Sequence, residues 1–108
     1  MRPITWNDAH GVQFVIDVPL PRTVRHDLRV QAERFLDRYR QHSGVGQLIV
    51  HVKRDGPQIA CHAHLFAGTE SYHGFETGWD VRRVIDGTFD AIDAQERRVR
   101  ERHAWARA

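Results

Sequence analysis

The chain has 108 residues, 41% of them hydrophobic and 28% charged, and a formal net charge of +2. That composition is too apolar for a disordered chain and suits one domain, residues 1–108, with its own core. The lone cysteine, Cys61, excludes an intramolecular disulfide and a Cys-rich zinc module. No apolar run reaches the ~18 residues of a membrane span, and Met1–Asp8 lacks the apolar stretch of a signal peptide, so a soluble cytoplasmic protein with no membrane partner is expected.

Residues 1–10 read as an N-terminal arm. Val12–Val18 is β-branched and aromatic, follows the His10-Gly11 turn signal, stops at Pro19-Leu20-Pro21, and is predicted to be a strand. From Arg22 to Gln41 the apolar residues Val24, Leu28, Ala32, Phe35 and Leu36 recur at intervals of three and four, with Tyr39 beyond. This is the stripe of an amphipathic helix, opened by Pro21 and ended by Ser43-Gly44 and Gly46. Gln47–Lys53 alternates, with Leu48, Val50 and Val52 on one face. After the turn Arg54–Pro57, Ile59–Phe66 alternates again, with Ile59, Cys61, Ala63 and Leu65 opposite Ala60, His62, His64 and Phe66. Ala67–Glu70 connects to a further strand, Ser71–Thr77, whose register stays open because Tyr72 and Phe75 fall on opposite faces. From Asp80 the period changes to that of a helix, marked by Val81, Val84, Ile85, Thr88, Phe89 and Ile92, with Gly87 as a weak point inside it. Run to Trp105 this helix is about 39 Å long, so its last turns should protrude or fray. The expected fold is a two-layer α/β (α+β) sandwich, β-α-β-β-β-α, with two helices packed on one face of a four-stranded mixed sheet.

Charge is not evenly spread. Fifteen of the sixteen basic residues are arginine, whose planar fork suits phosphate contacts; a GC-rich genome explains the same bias. Arg22–His42 carries six arginines against Asp27, Glu33 and Asp37. Residues 94–108, the basic end of the second helix, carry five against Glu96 and Glu101. Two helices of like charge lying side by side repel, so their coincidence suggests an anion that bridges them; a merely solvated face is the alternative.

Several stretches resemble the ribosome hibernation-promoting factor and ribosome-associated inhibitor family, also called sigma-54 modulation proteins. The order of elements and the loop lengths over residues 10–105 are similar. Asp80–Asp86 resembles the family's acidic start and Ala-Ile-Asp core, and Asp90, Gln95 and the basic run Arg97–Arg102 continue it. Val24-Arg25 resembles a Leu-Arg pair, and Glu33-Arg34-Phe35 with Asp37-Arg38-Tyr39 resembles a charged-aromatic stretch. The resemblance implies a non-enzymatic translation inhibitor acting under stress or slow growth. Such a protein docks on small-subunit ribosomal RNA in the channel used by messenger and transfer RNA, with no DNA partner and no cofactor. It implies phosphate contacts from Arg25, Arg34, Arg38, Arg97, Arg98, Arg100 and Arg102. Gln31, Ala91 and Ala94 stand where the family usually carries lysine or arginine, which should weaken binding and flatten its salt dependence. No second domain is expected to follow, so pairing of ribosomes through a C-terminal module is not anticipated.

Other constellations point elsewhere. His62 and His64 share a strand face, His51 has outward parity like theirs, and His73 can approach from the last strand. Such a cluster either covers a half-polar sheet face, holds a metal ion, or titrates between pH 5 and 7. Cys61 reads as core rather than nucleophile. Asp86, Asp90 and Asp93 lie along one side of the second helix, to be solvated or paired with Arg82, Arg83 and Arg97. No glycine-rich phosphate loop or nucleophile-base set occurs, and no enzyme is expected. Trp6, Trp79 and Trp105 sit at element edges, which leaves as the alternative function a protein-interaction module, a homodimer through the sheet, or a histidine metal-binding domain without ribosome binding.

Overall fold

A computed structural model describes residues 4–7, 11–43 and 46–107. Strands β1 (Ile4–Asn7) and β2 (Val12–Asp17) precede helix α1 (Arg22–Ser43). Strands β3 (Gln47–Asp55), β4 (Gln58–Ala67) and β5 (Glu70–Gly78) follow, and helix α2 (Val81–Arg107) closes the chain. The expected β-α-β-β-β-α order and its two layers are present. The sheet gains one strand, because Ile4–Asn7 is not part of an arm but pairs antiparallel with β2, from Ile4 opposite Ile16 to Asn7 opposite Gln13. The physical reason is the otherwise open edge of β2, whose unpaired backbone groups gain partners from even a four-residue segment. The rest of the arm (1–3 and 8–10), with the His10 half of its turn signal, and Gly44 of the expected helix stop lie outside the described residues, as does the side chain of Trp105.

Strands lie in sequence order, with β2 and β3 parallel across α1 and the remaining pairs antiparallel. Register lines up three rows on the inner face. Val12, Leu48, Leu65 and Tyr72 form one, Phe14, Val50, Ala63 and Gly74 the next, and Ile16, Val52, Cys61 and Glu76 the last. Tyr72 therefore faces the core and Phe75 the opposite side. The hairpin loops are the two-residue pairs Gly56-Pro57 and Gly68-Thr69. In each the glycine alone has positive φ, 60° and 63°, the first-position requirement of a type II′ turn whose twist matches the strands.

Both helices bury their stripes on this face. Leu28, Ala32, Phe35 and Leu36 of α1 meet Val84, Ile85, Phe89 and Ile92 of α2 and the inner rows in one core. Phe35 is central, with its ring centroid 4.8 Å from Phe89 and 5.0 Å from Tyr39. α2 lies over β4 and β5, and it comes closest at Gly74, where a Cβ would sit 2.1 Å from the Thr88 carbonyl oxygen. Asp80 caps α2: its carboxylate accepts from the Arg82 amide (3.0 Å) and its carbonyl from the Val84 amide (3.0 Å). At the other end of α1 the Arg40 guanidinium donates twice to the Gly46 carbonyl, at 3.0 and 3.3 Å, turning the chain into β3. α2 continues through Gly87, and from Arg100 to Ala104 its side chains are all exposed, so its last turns do stand clear of the core.

Candidate nucleic-acid interface

The two helices touch along a seam that is polar at its rim. Asp27 pairs with Arg82, and Gln31 donates to Asp86 at 2.7 Å. Further along, the Tyr39 hydroxyl donates to Asp93 at 3.0 Å while Arg38 lies 3.5 Å from the same carboxylate. Partners rise together in number along both helices, so the helices run parallel. This follows from topology: β2 and β5 point the same way, and each helix returns antiparallel to the strand before it.

Parallel alignment decides the electrostatics. The middle of α1 lies beside the aspartates of α2; Arg82 and Arg83 stand at the start of α2, and its remaining arginines, from Arg97 on, come where α1 is ending. The two basic segments therefore meet only at the end of the seam, where Arg38 lies with Arg97 and Arg100, and among the described residues Asp93 is the α2 carboxylate that pairs with an arginine of α1. Asp86 and Asp93 also pair across to α1 rather than with arginines of their own helix. Gln31 serves as a neutral tie to Asp86. Tyr39 is half-buried, and burial together with its bond to Asp93 pushes its phenol above the ordinary value, so it stays a donor.

The seven expected arginines divide into four places. Arg38, Arg97 and Arg100 line one depression at the end of the seam, shared with Tyr39, Asp93 and Glu96. Arg38 is held there by Asp93 and by the Phe35 ring, whose centroid is 5.3 Å from its guanidinium carbon, and Arg100 by Glu96 at 3.6 Å. Arg34 lines the groove between the helices with Asp90 and Asp93. Arg25 lies on the outer side of α1, where Arg22, Arg25, His26 and Arg29 line a shallow concavity. Arg22 and Arg29 were not among the expected residues, although their spacing of three and four from Arg25 would have placed them with it. Arg98 and Arg102 follow the turn of Gln95, whose side chain accepts from the His73 amide of β5 at 2.9 Å, so they lie on the sheet-edge side of α2. Among the described residues Arg25, Arg34, Arg97, Arg98 and Arg102 have no carboxylate at ion-pair distance.

The opposite face of the sheet is of another kind. Register puts His51 opposite His62 and His64 opposite His73, with Phe75 beside His62 at 4.5 Å and Phe66 beside His64 at 6.0 Å between ring centroids. Burial, then the charges of Lys53 and the neighbouring histidines, lowers the His62 pKa; burial, then His64, lowers that of His73. A histidine with a depressed folded-state pKa is protonated first in the unfolded chain. Its contribution is complete above the ordinary value of 6.5 and declines as pH falls through that value toward the lowered one. The thermal midpoint should therefore be lower at pH 5.5 than at pH 7.5, and the double variant His62→Gln/His73→Gln should narrow that difference in a calorimetric scan. Cys61 is buried, and burial pushes its thiol up to about 11, which suits a core residue and not a nucleophile.

The sequence matches no protein-family model and no curated protein. Among solved structures it is similar to the N-terminal domain of Protein Y from Thermus thermophilus. That superposition has a TM-score of 0.60 at 17% identity and covers 78% of this chain and 92% of the other. The likeness is one of fold. Among the described residues, no helix is long and apolar enough to cross a membrane.

Proposed function

We propose that this chain is a ribosome-associated translation inhibitor that holds small-subunit ribosomal RNA by its phosphates. The observation that carries the reading is the convergence of Arg38, Arg97 and Arg100 on one depression where α1 ends and α2 continues. Three guanidinium groups there outnumber Asp93 and Glu96, and their forks suit phosphate oxygens. Arg22, Arg25 and Arg29 form a second contact point near the start of α1, and Arg34 lies between the two. Arg98 and Arg102 reach RNA from the other side of α2. The sequence resemblance to the hibernation factors supports the choice of partner, and the fold shared with Protein Y agrees with the fold which that resemblance implies. Acting from the channel of messenger and transfer RNA, the protein needs no catalytic group. It blocks by occupancy.

Co-sedimentation with purified small ribosomal subunits tests this. Association is expected at about 50 mM salt and should fall steeply toward about 200 mM, because each neutralised phosphate releases counterions. Absence of association at the lower salt overturns the reading. Phe66 and Phe75, 41% and 46% exposed on the open sheet face, favour a second reading, a homodimer through that face. A dimer of that kind persists in size-exclusion chromatography at high salt, where the RNA complex dissociates.

A further inference from the structure

We propose that the outer face of the sheet binds a divalent transition-metal ion of the zinc class through His62, His73 and His64. The proposal concerns the face away from the helices and stands independently of the ribosomal reading. His62 Nδ1 lies 3.3 Å from His73 Nε2. Two ligands of a tetrahedral zinc ion with bonds of about 2.05 Å are themselves about 3.3 Å apart, so this pair already has the bite of a chelate once the proton between them is displaced. His64 is the nearest third donor. It is two residues from His62 on the same strand face and directly opposite His73, with their rings stacked at 4.3 Å. Among the described residues no three such groups yet converge on one point. The site closes when the exposed His64 side chain turns from its stack toward the His62–His73 pair, and water fills the fourth position, as in three-ligand zinc sites.

The donor type favours an ion of this class. Imidazole donors select zinc, copper and nickel over the harder magnesium and calcium. His51 is more distant, with its centroid 6.4 Å from that of His62, and is not counted as a ligand.

Calorimetric titration of the untagged full chain with Zn2+ alone at pH 7.5 tests the assignment. One ion per chain should bind saturably, and the thermal midpoint should rise with it. Loss of a partner that only supports a ligand costs about 10–100-fold in metal affinity, so His62→Gln, His73→Gln and His64→Gln should each weaken binding by at least about tenfold. His51→Gln and His103→Gln should leave it unchanged. Absence of saturable binding, or equal affinity in the His62→Gln/His73→Gln variant, overturns the site, and wild-type affinity in His64→Gln overturns the three-ligand assignment. The exposed positions of His64 and His73 allow substitution without loss of the fold, which circular dichroism of each variant verifies.

Discussion

Gly74→Ala should cost about 3 kcal/mol of stability and lower the thermal midpoint by about 12–24 °C in a calorimetric scan. The added methyl group would stand 2.1 Å from the Thr88 carbonyl oxygen and 2.9 Å from Ile92 Cγ1. No rotamer relieves the first contact, because backbone meets backbone. α2 must lift from β5, and the packing that Val84, Thr88 and Ile92 make with β4 and β5 loosens with it. Thr88 is fully buried, its hydroxyl donating to the Val84 carbonyl at 2.7 Å, so the same movement disturbs a polar group that has no access to water. A contrasting variant is Gly68→Ala, where nothing lies within 4 Å of the new methyl group. Its cost comes only from the positive φ and should be about 1 kcal/mol. Equal losses at the two positions would mean that the close approach of α2 is not what requires Gly74.

The second large effect concerns binding. Arg97→Glu/Arg100→Glu should weaken association with small ribosomal subunits by about a hundredfold or more at low salt, since hydrogen bonds to charged groups are worth about 1.5–3 kcal/mol each. The slope of log affinity against log salt should become shallower by about 1.4–1.8, the amount for two lost phosphate contacts. Stability should change little, because both side chains are exposed and exposed ion pairs such as Arg100–Glu96 contribute at most about 1 kcal/mol. Arg98→Glu/Arg102→Glu removes the same number of charges from the other side of α2 and should weaken binding less. Arg98 and Arg102 meet the RNA only from the far side of the helix, away from the depression of Arg38, Arg97 and Arg100. Binding by Arg97→Glu/Arg100→Glu at wild-type strength would remove that depression from the interface.

Local periodicity was enough for most of the fold. Alternation at Leu48, Val50 and Val52 and at Cys61, Ala63 and Leu65 put the right side chains inward, because a strand has only two faces and water selects between them. The spacing of Val24, Leu28, Ala32 and Phe35 did the same for α1. Two strand features were not legible. Ile4–Asn7 is too short to show a period and is a strand only because β2 offers an edge. Tyr72 and Phe75 contradict each other within the last strand, and the pairing of Tyr72 with Leu65 settles their faces.

For the candidate interface, the amino-acid sequence alone established that arginines gather at two places and that both places are helical, since charge and helical period are local properties. Which arginine meets which carboxylate is not local. It depends on both helices returning along strands that point the same way, which sets Asp27 against Arg82 and Asp93 against Arg38 and carries Arg97 and Arg100 to the end of their partner helix. The histidines divide likewise. Their number and parity are written in the chain, but the 3.3 Å between His62 and His73 exists only because β4 and β5 pair in one particular register. Hydrophobic burial fixes that register, and the polar groups are placed by it.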